Sequence, residues 1–588
     1  TKGYSLFINS FYRIRADIGR VSKGLRITTA GPKADIYVFT GSVLENMEEY
    51  TALTGKPLLP PAWVFEPWAG GGVGRWMDGP THDVIQEMEG VVRKFKNLDI
   101  PHSGLYAEGA GWKWEDHYNK EEIYKIATFT KQQKMRVFSW QFSHLDMEQA
   151  KELLPNCAEE DLPITRTPDY HGEKVLPCAI DFSHPRAEEL LENQWHDRMD
   201  AGFDGTMVDF GEIIPDEAVF YDGRTGDEMH NAYALDYTKA YRKLFEKYKG
   251  EDHVLFSRSA AAGVQKYSCQ FGGDQLSSFR GLTYAMNGGL TLAASGFPFW
   301  GVDAGGYSGF ADEETYLRWT EFAAFSPIMR FHGVTPREPW VYSRYAVSVY
   351  KFYAWLRENL LKYSVHTAEE AHKTGIPMMR PLPMVFPKDK EAVYWEDEYF
   401  YGSDLLAAPV HQEGEQRRIY FPAGRWINLL DFRKMVGGNR ILQVDVPIDK
   451  IPVYIREGAC ILSVMNGELQ LGQSMTYEKK NTVLMSRALN ETSGKRYADG
   501  KEIEYNILGQ TGEDFFMLRH ASETEFIVLL GFDRKPESLE LNGISLSEGA
   551  SLNALNYGSG WYWREDTAVI VSVPKLEKTE IHVVHKEQ

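Results

Sequence analysis

The sequence predicts an α/β protein built on a (β/α)8 TIM barrel flanked by β-sandwich domains, and three observations predict it. Between residue 62 and about residue 361, short apolar runs alternate with longer amphipathic, Glu/Lys-rich stretches. Eight such alternations in about 300 residues are the arithmetic of a closed parallel barrel. The polar residues of these runs fall at their C-terminal ends, not in their middles. On either side the pattern changes to short alternating strands punctuated by Gly and Pro, without a helical period. At 588 residues the chain is too long for a single core.

In chain order, residues 1–57 read as the end of an N-terminal β-sandwich, with strands at 4–9, 26–29 and 35–40 between Gly and Asn turns. The chain starts abruptly, mid-pattern, and the expectation is that its natural start lies further upstream. Leu58-Leu59-Pro60-Pro61 is a stiff entry, because each proline fixes its own φ, and it opens a catalytic barrel spanning 58–368. Barrel strands are expected at 63–68, 103–107, 136–142, 205–210, 254–258, 268–272, 297–302 and 328–331. Helices are expected between the early ones at 84–98, 120–133, 185–201 and 231–249. The Asn-, Pro- and Asp-rich span 144–176 is long for a barrel loop and reads as an inserted loop or small subdomain over the active-site face. Residues 369–459 read as a proximal C-terminal β-sandwich, and residues 460–588 as a distal β-domain ending in alternating runs at 570–573 and 580–584.

Composition excludes several classes. With 43% hydrophobic and 25% charged residues the chain is an ordinary globular protein, and no apolar run is long enough to cross a membrane. A net charge of −19 argues against nucleic acid and anionic membranes as partners. Cys157, Cys178, Cys269 and Cys460 lack metal-ligand spacing, so thiols are expected in place of structural zinc, with a Cys157–Cys178 bridge as the alternative. No metal and no cofactor is expected. No charged region followed by an apolar run opens the chain, so no signal peptide is visible and a cytoplasmic location is expected. Oligomeric state stays open, a homo-oligomer included.

The chemistry gathers around residues 203–212, Phe-Asp-Gly-Thr-Met-Val-Asp-Phe-Gly-Glu. A buried strand that ends on a carboxylate loses several kcal/mol of hydration unless that charge is paired or used. Glu108, Asp209, Arg258, Asp274, Asp303, Arg330 and His332 all fall at strand ends, which converge on one mouth in a barrel. Trp63, Trp68, Trp112, Trp140, Phe271 and Trp300 are expected to ring that mouth. Acids, two arginines and a histidine among flat apolar faces describe a pocket for a hydroxyl-rich ligand such as a sugar. Glycoside hydrolysis needs two carboxylates, one to attack or activate water and one to carry a proton near neutral pH, and Asp209 and Asp274 are the best pair. The competing readings are a divalent-metal site from Asp209, Asp303, Glu108 and His332, and an Asp209 that merely caps the next helix. Arg258 could equally be a structural ion-pair partner, His332 a core histidine, Trp112 and Trp114 a cover for the rim, and Lys113 a solvated charge.

Several of these stretches, in this order, resemble family 31 of the glycoside hydrolases, the retaining α-glycosidases. They are residues 204–212, Phe256 to Ala260 with its Arg-Ser-Ala, Gly272-Gly273-Asp274, Ser-Gly-Phe-Pro-Phe-Trp-Gly-Val-Asp-Ala-Gly-Gly at 295–306 and Met329-Arg330-Phe331-His332-Gly333. Met379-Arg380-Pro381-Leu382 and the stretches 402–410 and 421–426 resemble the family's C-terminal sandwich, so the likeness runs from about residue 4 to about 465. The resemblance implies Asp209 as nucleophile, forming a β-glycosyl ester, and Asp274 as the acid that later serves as base. It further implies that Arg258, Asp303, Arg330 and His332 bind or support the sugar in the minus-one site, and that Glu108 lies near the carboxylate that holds the sugar's far hydroxyls. Trp140 and Trp300 are added as aromatic walls of the substrate site.

Departures from the family pattern bear on substrate. Many of its α-glucosidases read Asp-Met-Asn-Glu at the nucleophile, whereas this chain reads Asp-Phe-Gly-Glu, which resembles the α-xylosidase and sulfoquinovosidase branches. Met207 stands where α-xylosidases carry Lys, and this, like Gly-Asp-Gln at Asp274, is similar to the sulfoquinovosidases. A sulfonate needs a cationic clamp, for which only Lys113 is at hand. Gly109 and Gly111 leave room for a hexose C6. The expectation is a retaining exo-α-glycosidase acting on an oligosaccharide or glycoside, an α-hexoside such as a galactoside or glucoside, or an α-xyloside. The alternatives are a sulfoquinovosidase, an α-transglycosylase and an inactive sugar-binding protein.

Overall fold

The structure is a computed structural model that describes residues 3–21, 23–69, 84–107, 118–165, 178–433, 435–498, 500–565 and 567–585. The N-terminal part pairs β1 (Tyr4–Asn9) with β4 (Asp35–Thr40) and β2 (Ile14–Ile18) with β3 (Leu25–Thr29), all antiparallel. Helix α1 (Val43–Thr54) follows, started by a capping box in which Ser42 and Glu45 satisfy each other's backbone N–H groups.

The barrel strands are β5 (Trp68–Ala69), β6 (Gly104–Tyr106), β7 (Arg136–Phe142), β10 (Gly205–Asp209), β11 (Val254–Ser257), β12 (Cys269–Phe271) and β13 (Trp300–Gly301). Between β7 and β10 a short pair, β8 (His144–Leu145) and β9 (Cys178–Ala179), runs antiparallel beside α4 (Met147–Leu153). The pair brackets the expected insert, β8 at its start and β9 just past its end, and residues 166–177 lie outside the described residues. The seven barrel strands form one parallel sheet in the order β13-β12-β11-β10-β7-β6-β5. The eighth position is held by residues 328–331 through single parallel bridges, Gly301 to Ile328, Ala304 to Phe331 and Trp68 to Arg330, so the sheet curls into a TIM barrel. The expected first strand is shorter than its apolar run, because Ala62–Phe65 is a 3-10 turn directly behind the two prolines.

Helices α2 (Val84–Asn97), α3 (Lys120–Gln132), α5 (Ala187–Ala201), α7 (Ala232–Lys249), α8 (Phe279–Ala294), α9 (Glu313–Ala324), α10 (Arg344–Asn359) and α11 (Leu361–Thr374) accompany the strands, with the short α6 (Gly226–Met229) before α7. Inside the barrel Trp68 stacks on Phe138 at 4.1 Å and meets Phe256 edge-on at 5.2 Å. At the N-terminal ends of the strands Arg136 binds Asp204 at 3.2 Å and Asp252 at 2.8 Å, and Trp63 donates to Asp252 at 2.7 Å.

Beyond the barrel a six-stranded sheet runs from Met379 to Arg456, and a second module packs a five-stranded sheet on a six-stranded one. Strand Phe526–Leu530 of the five-stranded sheet is buried at every position, because one face meets the barrel side and the other the distal sheet, so it is continuously apolar. Arg318 of α9 fastens the seam: fully buried, it pairs with Glu321 at 3.1 Å and donates to the carbonyls of Gly414, Val446, Pro447 and Lys450. Among the described residues no helix is long and apolar enough to cross a membrane.

Candidate active site

Strand β10 sits mid-sheet between β7 and β11, and all five of its residues are buried. Thr206, Met207 and Val208 suit a strand covered on both faces, and they carry Asp209 to the C-terminal rim. The chain then turns through two left-handed residues, Phe210 at φ 60° and Gly211 at φ 84°. Only glycine fits the second: a Cβ there would lie 2.6 Å from Ser259 Oγ and 3.0 Å from Tyr237. Strain at Phe210 is held by its surroundings, as at many functional turns.

This turn aims the Asp209 carboxylate into a set of donors. Trp140 Nε1 donates to Oδ2 at 2.8 Å, the Phe210 amide to Oδ1 at 2.8 Å, and Arg258 Nη1 lies 3.2 Å from Oδ1. Burial raises the Asp209 carboxyl above its usual range and the neighbouring Asp274 charge adds to that; Arg258, Trp140 and the Phe210 amide pull it back. The fully buried Tyr237 donates to the Asp209 and Gln141 carbonyls, both at 3.2 Å, and so fixes the end of the strand. Arg258 divides itself between Asp209 and Glu212, whose Oε1 accepts from Nη2 at 2.6 Å, while its guanidinium lies 3.9 Å from the Phe210 ring centre.

Asp274 follows Gly272 and Gly273, the latter at φ 82°, and projects at the rim. No hydrogen bond from a described residue reaches its carboxylate. Its side chain touches solvent, yet the walls of the mouth shield it enough to raise its carboxyl; Arg258 and Arg330 lower it, and Glu212 raises it. Asp303 and Arg330 form a fully buried ion pair, with burial lifting the Asp303 carboxyl to about 6 against the pull of Arg330. The Arg330 guanidinium lies 5.5 to 5.8 Å from the ring centres of Tyr106, Phe256 and Phe271. His332 is buried beside Tyr106 at 4.5 Å, and burial with the Arg330 and Arg337 charges holds its imidazole well below its ordinary range, hence neutral.

Asp209, Asp274, Arg258, Asp303, Arg330, His332 and Trp140 therefore come together at one end of the barrel. Trp68 fills the barrel core and not the mouth, and two further aromatic expectations need correction. Trp300 does not line the mouth; its ring packs outward against Gly289 of α8, and at 6.4 Å from Phe322 of α9, in the layer between strands and helices. Trp63 sits at the opposite end of the barrel, under Arg136 and Asp252. Glu108, Trp112 and Lys113 lie outside the described residues. Among those described, no three acidic, His or Cys side chains are grouped to hold a metal ion.

Sequence reasoning passed over Glu212 as a partner of Arg258, although it closes the same motif. It also passed over Tyr237, whose signal was the Tyr233, Tyr237, Tyr241 row on one face of α7. It missed Arg337 too, which is fully buried and whose donors reach Ser277 Oγ and the carbonyls of Tyr307 and Gly309 at 2.9 to 3.1 Å, pinning two rim loops together. Chemically, one carboxylate is fixed by donors and a neighbouring cation, and a second, with no hydrogen bond from a described residue, faces the same space with a raised carboxyl. That is the division of labour for a nucleophile and a proton carrier.

Residues 57–367 match the description of the glycosyl hydrolases family 31 TIM-barrel domain, and residues 375–461 that of the family's C-terminal domain. The isomaltosyltransferase of Sporosarcina globispora is 27% identical, over 96% of this chain and 57% of that protein. An α-xylosidase of Emericella nidulans is 28% identical, over 78% of this chain and 61% of its own length. The chain thus spans about three fifths of these relatives. In fold it is similar to a cycloalternan-forming enzyme from Listeria monocytogenes solved with a pentasaccharide substrate. That likeness has a TM-score of 0.87 and 23% identity, covering 99% of this chain and 60% of that one.

Proposed function

The chain belongs to glycosyl hydrolase family 31, and from that premise we propose that it is a retaining, exo-acting α-glycosidase whose minus-one site takes an α-glucosyl or α-xylosyl unit. The observation that carries the reading is the buried Asp209 carboxylate, held by Trp140, the Phe210 amide and Arg258, with Asp274 near enough for its charge to act on it and without a hydrogen bond from any described residue. Asp209 attacks the anomeric carbon as Asp274 passes its proton to the leaving oxygen, giving a β-glycosyl ester. Asp274, now a carboxylate, takes a proton from water, which attacks the same carbon and releases sugar with retained configuration. Arg258 counters the charge of Asp209 before attack. The Asp303–Arg330 pair presents a fixed polar edge to the sugar's hydroxyls, and the neutral His332 supplies one ring N–H or one acceptor beside it.

The glucosyl and xylosyl assignments draw on the names of the similar proteins, an isomaltosyltransferase and an α-xylosidase. A sulfoquinovosyl unit stays an alternative, because sulfoquinovosidases are also among the similar proteins, one of them 28% identical over 72% of this chain. The isomaltosyltransferase likeness also supports a second reading, transglycosylation, in which a sugar hydroxyl replaces water in the second step. The test is turnover of p-nitrophenyl α-glucoside, α-xyloside, α-galactoside and α-sulfoquinovoside by the wild type, Asp209→Ala and Asp274→Ala, with proton NMR of the first-formed anomer. An α-configured first product, absent with Asp209→Ala, is expected; a β-product or full activity in that variant removes the proposal. Oligosaccharide products at high sugar concentration would assign the transferase reading.

A further inference from the structure

Two large apolar side chains stand exposed, one on the loop that carries Asp274 and one on the loop tied to it. Leu276 is 58% and Phe310 is 55% exposed, each on a loop that leaves the C-terminal end of a barrel strand and enters the next helix. Exposed apolar groups on a flexible loop would mean little, but these loops are tied together. Leu276 bridges Ser308; the Ser277 amide donates to Ser308 O at 2.9 Å, and the Tyr307 and Ser308 amides donate to Gln275 O at 2.8 and 3.1 Å. Ser277 and Thr335 hydroxyls hold Gly309 O at 3.2 and 2.8 Å, and Arg337 clasps the same segment from beneath.

Phe310 is also braced through its ring. It stacks on Tyr342 at 5.0 Å and 24°, and Tyr342 stacks on the fully buried Tyr316 at 4.1 Å and 19°. Tyr316 in turn donates to the Arg337 carbonyl at 2.8 Å. A ladder of three rings thus runs from the core to the surface and ends on an aromatic side chain open to solvent. A rigid, solvated aromatic surface loses little entropy on binding and suits the apolar C–H face of a pyranose.

We infer that Leu276 and Phe310 form a plus-side platform for the leaving-group sugar, so that the natural substrate is an α-linked oligosaccharide and not a glycoside of a small alcohol. The inference rests on the reading of Asp274 as the acid. Its carboxyl must reach the leaving oxygen by hydrogen bond, so whatever that oxygen carries lies over the 274–277 loop. Leu276 is two residues from the acid on that loop, and Phe310 is two residues beyond Leu276's bridge partner.

The test compares a substrate with no leaving sugar against one with two. The wild type, Phe310→Ala, Leu276→Ser and Phe310→Trp are assayed on the α-glycosyl fluoride, among glucosyl, xylosyl and galactosyl, that the wild type turns over fastest. They are also assayed on the α-linked trisaccharide ending in the same sugar. The ratio of kcat/KM for trisaccharide to that for fluoride is expected to fall about tenfold in Phe310→Ala and severalfold in Leu276→Ser, mostly through KM, and to hold in Phe310→Trp. Because the ratio is internal to each variant, a general loss of folded protein cancels. Ratios within twofold of wild type in both truncations would overturn the platform. If instead Asp274→Ala depresses the fluoride as strongly as the trisaccharide, the acid assignment falls, and the platform with it; a wild type silent on all three fluorides would remove the glucosyl or xylosyl minus-one site on which the inference rests.

Discussion

Replacing Arg258 with Met tests how Asp209, the proposed nucleophile, is kept ionised. Two unit charges at the 3.2 Å separation of Arg258 and Asp209 attract by about 5 kcal/mol at an effective dielectric of about 20. Arg258 is one-fifth exposed and shares its guanidinium with Glu212, so screening and sharing bring the net value of this ion pair down to about 1.5–3 kcal/mol. At neutral pH kcat/KM should therefore fall about ten- to a hundredfold. The pH profile carries the sharper signature. Arg258 lowers both the Asp209 and the Asp274 carboxyls, so without it both rise. A bell whose acid limb is the nucleophile and whose basic limb is the acid must then move upward at both edges. The assay is kcat/KM from acid to alkaline pH on a soluble aryl α-glycoside, with circular dichroism to confirm folding. A uniform loss with both limbs in place would refute this account, since it would mean that Arg258 acts on the sugar and not on the carboxylates.

The remaining predictions concern the pieces around it. Asp303→Asn addresses a carboxyl raised to about 6; its stabilising, protonated share is fully present below the unfolded value near 4 and is lost as pH rises through about 6. Urea unfolding of the variant should therefore depend less on pH in that window, and an undiminished slope would assign the titration to another group. The same variant strands the buried Arg330 charge, so at pH 7 it should be about 3–5 kcal/mol less stable than wild type. Gly289→Ala drives a Cβ to 1.9 Å from the Trp300 indole and should lower stability by about 1–3 kcal/mol. Trp300→Phe should also lower the melting temperature while leaving KM in place, whereas a raised KM would return Trp300 to the substrate site. Arg318→Met leaves Glu321 buried without its partner and unties four carbonyls of the C-terminal sheet; a loss of about 3–5 kcal/mol, with barrel and sandwich unfolding in separate calorimetric steps, is expected.

How much of this was legible beforehand follows from the range of the forces involved. The barrel could be read because strand and helix periods are local, and the strand-end acids because an ionised group mid-strand in a dry core is prohibitively costly, which drives such groups to the rim. Asp209, Asp274, Asp303, Arg258, Arg330 and His332 were therefore placed by sequence at the mouth where they converge. The two tryptophans were not, because period alone does not say which side of a curled sheet an aromatic takes. Trp300 was settled by the absence of a side chain at Gly289, on the helix packed behind it, and Trp63 by an arginine and an acid at the far end of the barrel.

Partnership was equally invisible in one dimension. That Arg330 takes Asp303, that Arg258 divides itself between Asp209 and Glu212, and that Arg337 binds loops rather than an acid are choices among similar charges, decided by which atoms the closed barrel brings within about 3 Å. By itself the sequence determined the barrel and the family, and it singled out Asp209 and Asp274 as the candidate acids. The tertiary structure decided which carboxylate is held by donors and which receives none from a described residue, because burial and hydrogen bonding are properties of a place in the fold and not of a residue type.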